Sequence, residues 1–197
     1  MSNLYFPLFS GKVRVNIFAP ACFWLMLVSE GAAAFCCILA GVAVHETGHA
    51  FFIFVYGQKI TRFEIEPFGG LMTYTSEGLS YEGETAICAG GILFNLIAAF
   101  LASLFLTWCK NEYLFLFILS CIFFAVINLV PLKSNDGGRL IYLSALKRRG
   151  EEYAEKAQKR ASIFGAALLL CLGAYILYLS GFNNGLCIFF LLAAIPK

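Results

Sequence analysis

Long apolar runs, separated by short polar stretches, dominate the pattern of hydrophobic and polar positions along the chain. A helix that crosses the roughly 30 Å apolar core of a bilayer needs about 20 such residues. The pattern therefore predicts an all-α polytopic membrane protein with six transmembrane helices. The predicted spans are residues 14–30, 32–56, 86–108, 113–130, 161–180 and 183–196.

The fourth predicted span is interrupted near its end. Asn128 and Pro131 break the apolar run, and the apolar pattern resumes only at residues 138–146. Irregular backbone at membrane depth is tolerated where other protein groups or a wet cavity satisfy its hydrogen bonds. The break therefore marks a candidate functional region.

A polar region between the second and third spans carries a different periodicity. Residues 60–66 alternate apolar Phe63 and Ile65 with charged side chains, which is the period of a β-strand. Residues 67–70 have the composition of a turn, and residues 71–75 form a candidate second strand. We therefore expect a short membrane-associated β-hairpin between helices 2 and 3.

Composition and charge support a membrane protein. The chain of 197 residues is 60% hydrophobic and 13% charged, whereas soluble domains have about 25% charged residues. A net charge of +2 gives no basis for nucleic-acid binding. The eight cysteines lie in or beside apolar runs without zinc-ribbon spacing, so we expect buried thiols and no disulfide framework.

The distribution of basic residues predicts the orientation. Lysine and arginine are retained preferentially in short cytoplasmic loops. If the N-terminus is cytoplasmic, the Lys and Arg residues lie on the cytoplasmic side, apart from those at the break in the fourth span and Lys110, which alone faces outward. We therefore expect both termini to be cytoplasmic.

The chemistry-bearing motif lies in the second predicted span. The chain has two histidines, and both occur in the segment His45-Glu46-Thr47-Gly48-His49. Residues four apart share a helix face, so the two imidazoles can bind one zinc ion, and Glu46 beside them can accept a proton from water. Ionisable residues are costly inside a bilayer and usually serve a function there. The alternative is that these side chains only form hydrogen bonds between helices.

Catalytic zinc normally has three protein ligands and one open position. Asp136 is the outstanding candidate for the third ligand, because it lies in the interruption of the fourth span and precedes the flexible pair Gly137 and Gly138. The alternative is that Asp136 caps the helix that follows the break.

Five sequence elements, in order, carry a resemblance to a known family. The chain resembles the site-2 protease family of intramembrane zinc metalloproteases, peptidase family M50, and within it the six-span branch typified by stage IV sporulation protein FB. The elements are His45-Glu-Thr-Gly-His49, Phe68-Gly-Gly70, Ala89-Gly-Gly-Ile-Leu-Phe-Asn95, Asn128-Leu-Val-Pro131 and Asn135-Asp-Gly-Gly138.

The resemblance implies the fold, a Zn²⁺ cofactor, Asp136 as a ligand, and cleavage of peptide bonds in or near membrane spans. It also implies a bacterial cell membrane as the location. Members of the sporulation branch commonly carry a CBS domain, a pattern from which this sequence departs. We therefore expect a single membrane-embedded domain over residues 1–197 with no CBS or PDZ domain.

Two further roles are predicted near the proposed metal. Asn128 at the break is a candidate donor to the oxyanion that develops during peptide hydrolysis. Equally, it could bind backbone groups freed by Pro131. Asn95 is a candidate substrate contact, with helix packing beside Gly90 and Gly91 as the alternative.

The hairpin supplies the other candidate substrate contacts, because an extended peptide can pair with an edge strand. These contacts are Phe63, Ile65, Phe68, Gly69 and Gly70. The alternative is a hairpin that only seals the site at the membrane surface. The expected partners are a single-span or membrane-associated protein substrate, the lipid bilayer and a separate regulatory membrane protein.

Two other functional classes use histidines inside a membrane. A metal transporter normally shows internal repeats with paired broken helices, whereas this sequence shows one broken helix. A catalytically silent scaffold would not require Glu46 beside both histidines. The hydrolase is therefore favoured, and both alternatives make different predictions for zinc binding and cleavage.

Overall fold

The computed structural model describes residues 5–8, 12–67 and 69–179, and this part of the chain is mostly helical. The helices are α1 (Ala19–Val55), α2 (Tyr81–Cys109), α3 (Glu112–Leu129), α4 (Asp136–Arg149) and α5 (Glu151–Leu179). The strands are β1 (Tyr5–Leu8), β2 (Val13–Asn16), β3 (Ile60–Glu66) and β4 (Gly69–Tyr74). The chain divides into two compact units, Met1–Ala125 and Val126–Lys197.

Four helices in the described part are long and apolar enough to cross a membrane: α1, α2, α3 and the part of α5 up to Ile176. Most of the first two predicted spans lies in α1, which is interrupted at Gly31 by non-helical dihedrals (φ 81°, ψ 163°). Because Gly lacks a Cβ, it adopts this conformation without steric strain. The predicted sixth span, residues 183–196, lies outside the described residues.

The predicted start of the first span, residue 14, is wrong. Residues Val13–Asn16 form strand β2, and α1 begins only at Ala19. The short segment alternates valine with polar side chains, a pattern typical of a strand with one apolar face and one polar face. The 12 helical residues from Ala19 to the break at Gly31 are fewer than the roughly 20 required for a full span.

The predicted hairpin is present, but it belongs to a larger sheet. Strands β3 and β4 pair antiparallel, with Ile65 opposite Gly70. The sheet has four strands in the order β1-β2-β3-β4, and β2 pairs parallel with β3. The Asn16 side-chain amide donates to the Glu66 carboxylate at 3.1 Å, which ties these two strands together. Within the described part of the chain, strand β3 is therefore internal and β4 is an edge strand.

The backbones of α1 and α2 touch where they cross. A Cβ placed on Gly48 would lie 2.3 Å from the carbonyl oxygen of Gly90, and one on Gly90 would lie 2.6 Å from that of Gly48. Such close approach requires residues without side chains on both helices. Because Gly48 directly precedes His49, the crossing places the histidine-bearing turns of α1 against α2. Further along α2, a cluster of Ala99, Ala102, Ile118 and Cys121 packs this helix against α3.

The second unit is built around the predicted break between α3 and α4. The Asn135 side chain donates to the carbonyl of Ile127 at 2.8 Å and so satisfies a backbone group near the end of α3. A Cβ on Gly137 would lie 2.2 Å from the Leu129 carbonyl oxygen, and one on Gly138 would lie 1.9 Å from that of Leu132. The turn therefore requires both glycines.

Helix α5 packs along α4 in the same unit. Its Gln158 side chain donates to the Gly138 carbonyl at 3.2 Å. Leu132 and Leu169 form the apolar centre of the unit, with Ile127, Val130 and Ala166 around them. These contacts hold the start of α4, which carries Asp136 as its first residue.

Candidate metal centre

The two histidines lie one helical turn apart on α1, and their rings converge. The distance between His45 Nε2 and His49 Nε2 is 3.1 Å, and the ring planes are inclined at 83°. Two nitrogens bound to one tetrahedral zinc, each at about 2.0–2.1 Å, lie about 3.3 Å apart. The observed separation fits a shared metal ion.

The backbone of α2 fixes the ring of His49. Its Nδ1 lies 2.8 Å from the carbonyl oxygen of Ile87. A carbonyl oxygen only accepts hydrogen bonds, so His49 carries its proton on Nδ1 and donates it to Ile87. The lone pair is then on Nε2, the atom that faces His45, as metal binding requires.

Helix α2 also supplies the space between the rings. A Cβ on Gly91 would lie 2.5 Å from His49 Nε2 and 2.7 Å from His45 Nε2. Any side chain at this position would fill the point on which the two nitrogens converge. Ile87, Gly91 and Asn95 follow one another at intervals of four, so that they form one face of α2 against the histidines.

Glu46 contacts the hairpin. Its Oε1 accepts a hydrogen bond from the backbone N–H of Gly70 at 2.9 Å. A Cβ on Gly70 would lie 2.6 Å from the Phe63 ring and 2.8 Å from the Glu46 carboxyl carbon. The start of β4 therefore lies directly against the carboxylate, and only glycine leaves room for it.

The predicted site residues fall into two groups. In the first unit, the structure brings together His45, Glu46, His49, Asn95 and the hairpin residues Phe63, Gly69 and Gly70. Ile65 lies opposite Gly70 in the sheet. Phe68 lies outside the described residues.

The other predicted residues belong to the second unit. Asn128 lies in the last turn of α3, and Asp136 is the first residue of α4. The N-cap position of α4 is occupied by Asn135, whose side chain makes no capping hydrogen bond, and Asp136 is the residue that follows it.

Sequence reasoning missed the carbonyl of Ile87 and the lack of a side chain at Gly91 as parts of the site. The signal in the sequence was the spacing of four residues from Ile87 to Gly91 and from Gly91 to Asn95.

We expect Gly91→Ala to remove bound zinc, because its methyl group would occupy the space between the two ring nitrogens. The measurement is the zinc content of the purified, folded variant. The matched control is Gly165→Ala, whose Cβ would have side-chain atoms of Val130 and Pro131 as its nearest neighbours, at 3.1 and 3.3 Å. Wild-type zinc content in Gly91→Ala would contradict the proposed metal position.

Three comparisons with known proteins agree on one family. The model of the Peptidase M50B-like family matches residues 17–146. Stage IV sporulation protein FB of Bacillus subtilis is 28% identical over 172 residues, which cover 85% of this chain and 58% of that protein. A zinc metalloprotease of Methanocaldococcus jannaschii is 29% identical over 163 residues, or 80% of this chain and 44% of that protein.

The chain thus spans about half of the length of these two relatives. Among solved structures, a site-2 protease from Methanocaldococcus jannaschii has a similar fold, with a TM-score of 0.63. The sequences are 20% identical, and the match covers 96% of this chain and 93% of the other. The similarity supports the predicted site-2-protease-like fold, and the described part of the chain contains four of the six predicted spans as candidate membrane helices.

Proposed function

The chain belongs to the Peptidase M50B-like family, and from this membership we propose that it is an intramembrane zinc metalloprotease. The relationship to peptidase family M50 predicted from the sequence is thereby confirmed. The observation that carries the proposed activity is the convergence of His45 Nε2 and His49 Nε2, 3.1 Å apart, on the helix turn that also carries Glu46. Two metal-ligating imidazoles next to a general base are the core of a zinc hydrolase site.

Asp136 is proposed as the third ligand. His45, His49 and Asp136 provide two neutral imidazoles and one carboxylate, a donor set found in catalytic zinc sites. The proposal also rests on the family resemblance of the segment Asn135-Asp-Gly-Gly138. The two glycines, which the turn requires, keep Asp136 at the very start of α4.

When bound, zinc supplies a Lewis acid that polarises the scissile carbonyl and acidifies a water molecule. Glu46 accepts the proton of this water and passes it to the departing amine. The hydrogen bond from Gly70 engages Oε1 of Glu46, which leaves Oε2 to take the proton. Asn128 is proposed to donate a hydrogen bond to the developing oxyanion.

The outer edge of β4 is proposed to hold the substrate. Successive N–H groups of a strand point to opposite sides, and the N–H of Gly70 points away from β3 toward Glu46. The N–H group of Met72 therefore lies on the same outer edge. An extended peptide paired with this edge would pass the general base with its carbonyls free of helical hydrogen bonds.

We expect Met72→Pro to slow cleavage and to leave the zinc content unchanged. Proline removes an outward N–H that could pair with a substrate, and such positions on edge strands tolerate proline. The loss of one hydrogen bond of about 0.5–1.5 kcal/mol corresponds to a reduction of roughly 2- to 13-fold in kcat/KM. The control is Met72→Leu, which keeps the N–H. Equal rates for the two variants would indicate that the hairpin only covers the site.

The proposed substrate is a single-span or membrane-associated protein. We propose that a separate membrane protein regulates when cleavage occurs. The apolar helices place the chain in a membrane. Six spans and cytoplasmic termini remain part of the proposal, based on the sequence pattern, and a bacterial membrane remains part of it on the basis of the family resemblance. Water and substrate would then enter from the cytoplasmic side.

The activity is tested by metal removal from the full chain in proteoliposomes that contain a single-span substrate. A strong zinc chelator is expected to stop cleavage, and added zinc is expected to restore it, because the ligands bind zinc reversibly. Mass spectrometry of the products locates the cleaved bond. Cleavage that persists in zinc-free protein would overturn the proposal, whereas zinc flux across the bilayer without cleavage would indicate a transporter.

A further inference from the structure

Asn95 contacts a proposed zinc ligand from deep inside the first unit. It lies on α2, has 0% exposed surface, and its Nδ2 is 3.3 Å from Nδ1 of His45. Its Oδ1 has no hydrogen-bond partner among the described residues. A buried polar side chain is costly unless its hydrogen bonds are made. Helix packing alone does not explain an amide at this position.

The metal site dictates which proton His45 must carry. Its Nε2 faces His49 Nε2, so Nε2 is the atom available to a shared metal ion. A neutral imidazole bound through Nε2 carries its proton on Nδ1, and this N–H requires an acceptor. His49 satisfies the same requirement through the Ile87 carbonyl.

The Asn95 amide can be that acceptor. Its oxygen and nitrogen have nearly the same shape and size, so a half-turn of the amide exchanges them with little steric change. In the exchanged orientation, Oδ1 lies about where Nδ2 does now, within hydrogen-bond distance of His45 Nδ1. The orphaned oxygen then receives a donor, and the bond to a metal-bound imidazole is stronger than one between neutral groups.

We infer that Asn95 is a positioning residue, which accepts the Nδ1 proton of His45 and thereby holds the ring with Nε2 directed at the metal. This inference rests on the proposed zinc site and gives Asn95 a role other than the substrate contact predicted from sequence. Ile87 and Asn95, two turns apart on one face of α2, would then each orient one of the two histidines. Gly91 between them leaves room for the ion.

Two variants of similar size separate the acceptor role from packing. Asn95→Leu fills the space without an acceptor, and Asn95→Asp keeps an acceptor but loses the amide donor. Zinc affinity of the full chain in micelles is measured by competition with a chelator. We expect Asn95→Leu to weaken zinc binding by about 10–100-fold, as is typical for residues that orient metal-bound histidines. Asn95→Asp is expected to bind zinc far more tightly than Asn95→Leu.

A spectroscopic readout adds what affinity alone does not give. The chain has two histidines, so ¹⁵N-labelled imidazoles of the zinc-loaded protein give few signals to assign. The Nδ1 proton of His45 should be visible and protected in wild type and Asn95→Asp, and exposed to rapid exchange in Asn95→Leu. The control is Ser120→Ala, which removes another buried polar group of the first unit, bonded only to Leu116 of its own helix.

The outcomes are distinct. Zinc affinity that is equal in wild type and Asn95→Leu, or equally weak in Asn95→Asp and Asn95→Leu, would overturn the role of Asn95 alone. If the wild-type protein binds no zinc, both the proposed metal site and this inference would be overturned. If Ser120→Ala lost as much zinc affinity as Asn95→Leu, the positioning role of Asn95 would also be overturned, because the removal of any buried polar group would then weaken zinc binding.

Discussion

Glu46→Gln is expected to abolish peptide cleavage and to leave zinc bound. Glutamine has nearly the same shape and keeps an oxygen that can accept the hydrogen bond from Gly70. Its amide cannot take a proton from water at neutral pH, so the general-base step is lost. A positioned general base contributes about 10²–10⁴-fold to the rate, and we expect kcat to fall by roughly this factor. Zinc content and product formation are measured on the same preparation.

Thr47→Val provides the matched control for Glu46→Gln. Thr47 is the next residue on α1, is exposed, and donates only to the Ala43 carbonyl of its own helix. This variant also removes one polar group without a change in size, so it should cleave at the wild-type rate. Wild-type cleavage by Glu46→Gln would exclude Glu46 as the base. Loss of zinc from Glu46→Gln would instead indicate that the carboxylate holds the site together.

The sequence was most informative where periodicity and chemistry coincide. His45 and His49 are four residues apart on a helix, and this spacing places both rings on one helix face. In the structure, their Nε2 atoms lie 3.1 Å apart. The alternation of Phe63 and Ile65 predicted a strand, which is β3. Both features are local, and local spacing is set by the geometry of a single element.

Long-range features could not be predicted in the same way. The four residues of β2 are too few for a clear period, and their parallel pairing with β3 depends on chain segments 50 residues apart. The Ile87 carbonyl is a backbone atom, which no side-chain motif reveals. Gly91 contributes because it has no side chain. In the sequence, such a glycine cannot be distinguished from one that only allows two helices to pack closely.

The family resemblance and the residue chemistry supplied different parts of the site. Composition and spacing predicted two zinc ligands and a base on one helix. Asp136 and Asn128 were predicted from the break in the fourth span, and the resemblance also implies the ligand role of Asp136. Asn135 occupies the cap position of α4 and also satisfies the Ile127 carbonyl. Asn135 and the two glycines thus stabilise the turn at the break, and the proposed ligand role of Asp136 requires a test of its own.

Asp136→Asn is expected to remove zinc from the protein without unfolding α4. Asp136 follows the N-cap residue Asn135, so the substitution leaves the cap unchanged, and the lost charge at the helix start costs about 0.3–1 kcal/mol. The neutral amide is a poor zinc ligand compared with a carboxylate. We expect zinc affinity to fall by more than the roughly 10–100-fold typical of residues outside the ligand set. The measurements are chelator competition and the thermal unfolding of the zinc-free protein.

Glu155→Gln is the control for charge, because it neutralises an exposed carboxylate of α5 in the same unit. It should retain zinc and activity. A 100-fold loss of zinc affinity corresponds to about 2.7 kcal/mol, more than the helix-terminus effect alone supplies. Retained zinc in Asp136→Asn, together with lower thermal stability of the zinc-free protein, would assign Asp136 to the helix terminus. Lost zinc with unchanged stability of the zinc-free protein would support a ligand role for Asp136 over a role at the helix terminus. It would also distinguish Asp136 from Glu46, whose replacement is expected to leave zinc bound.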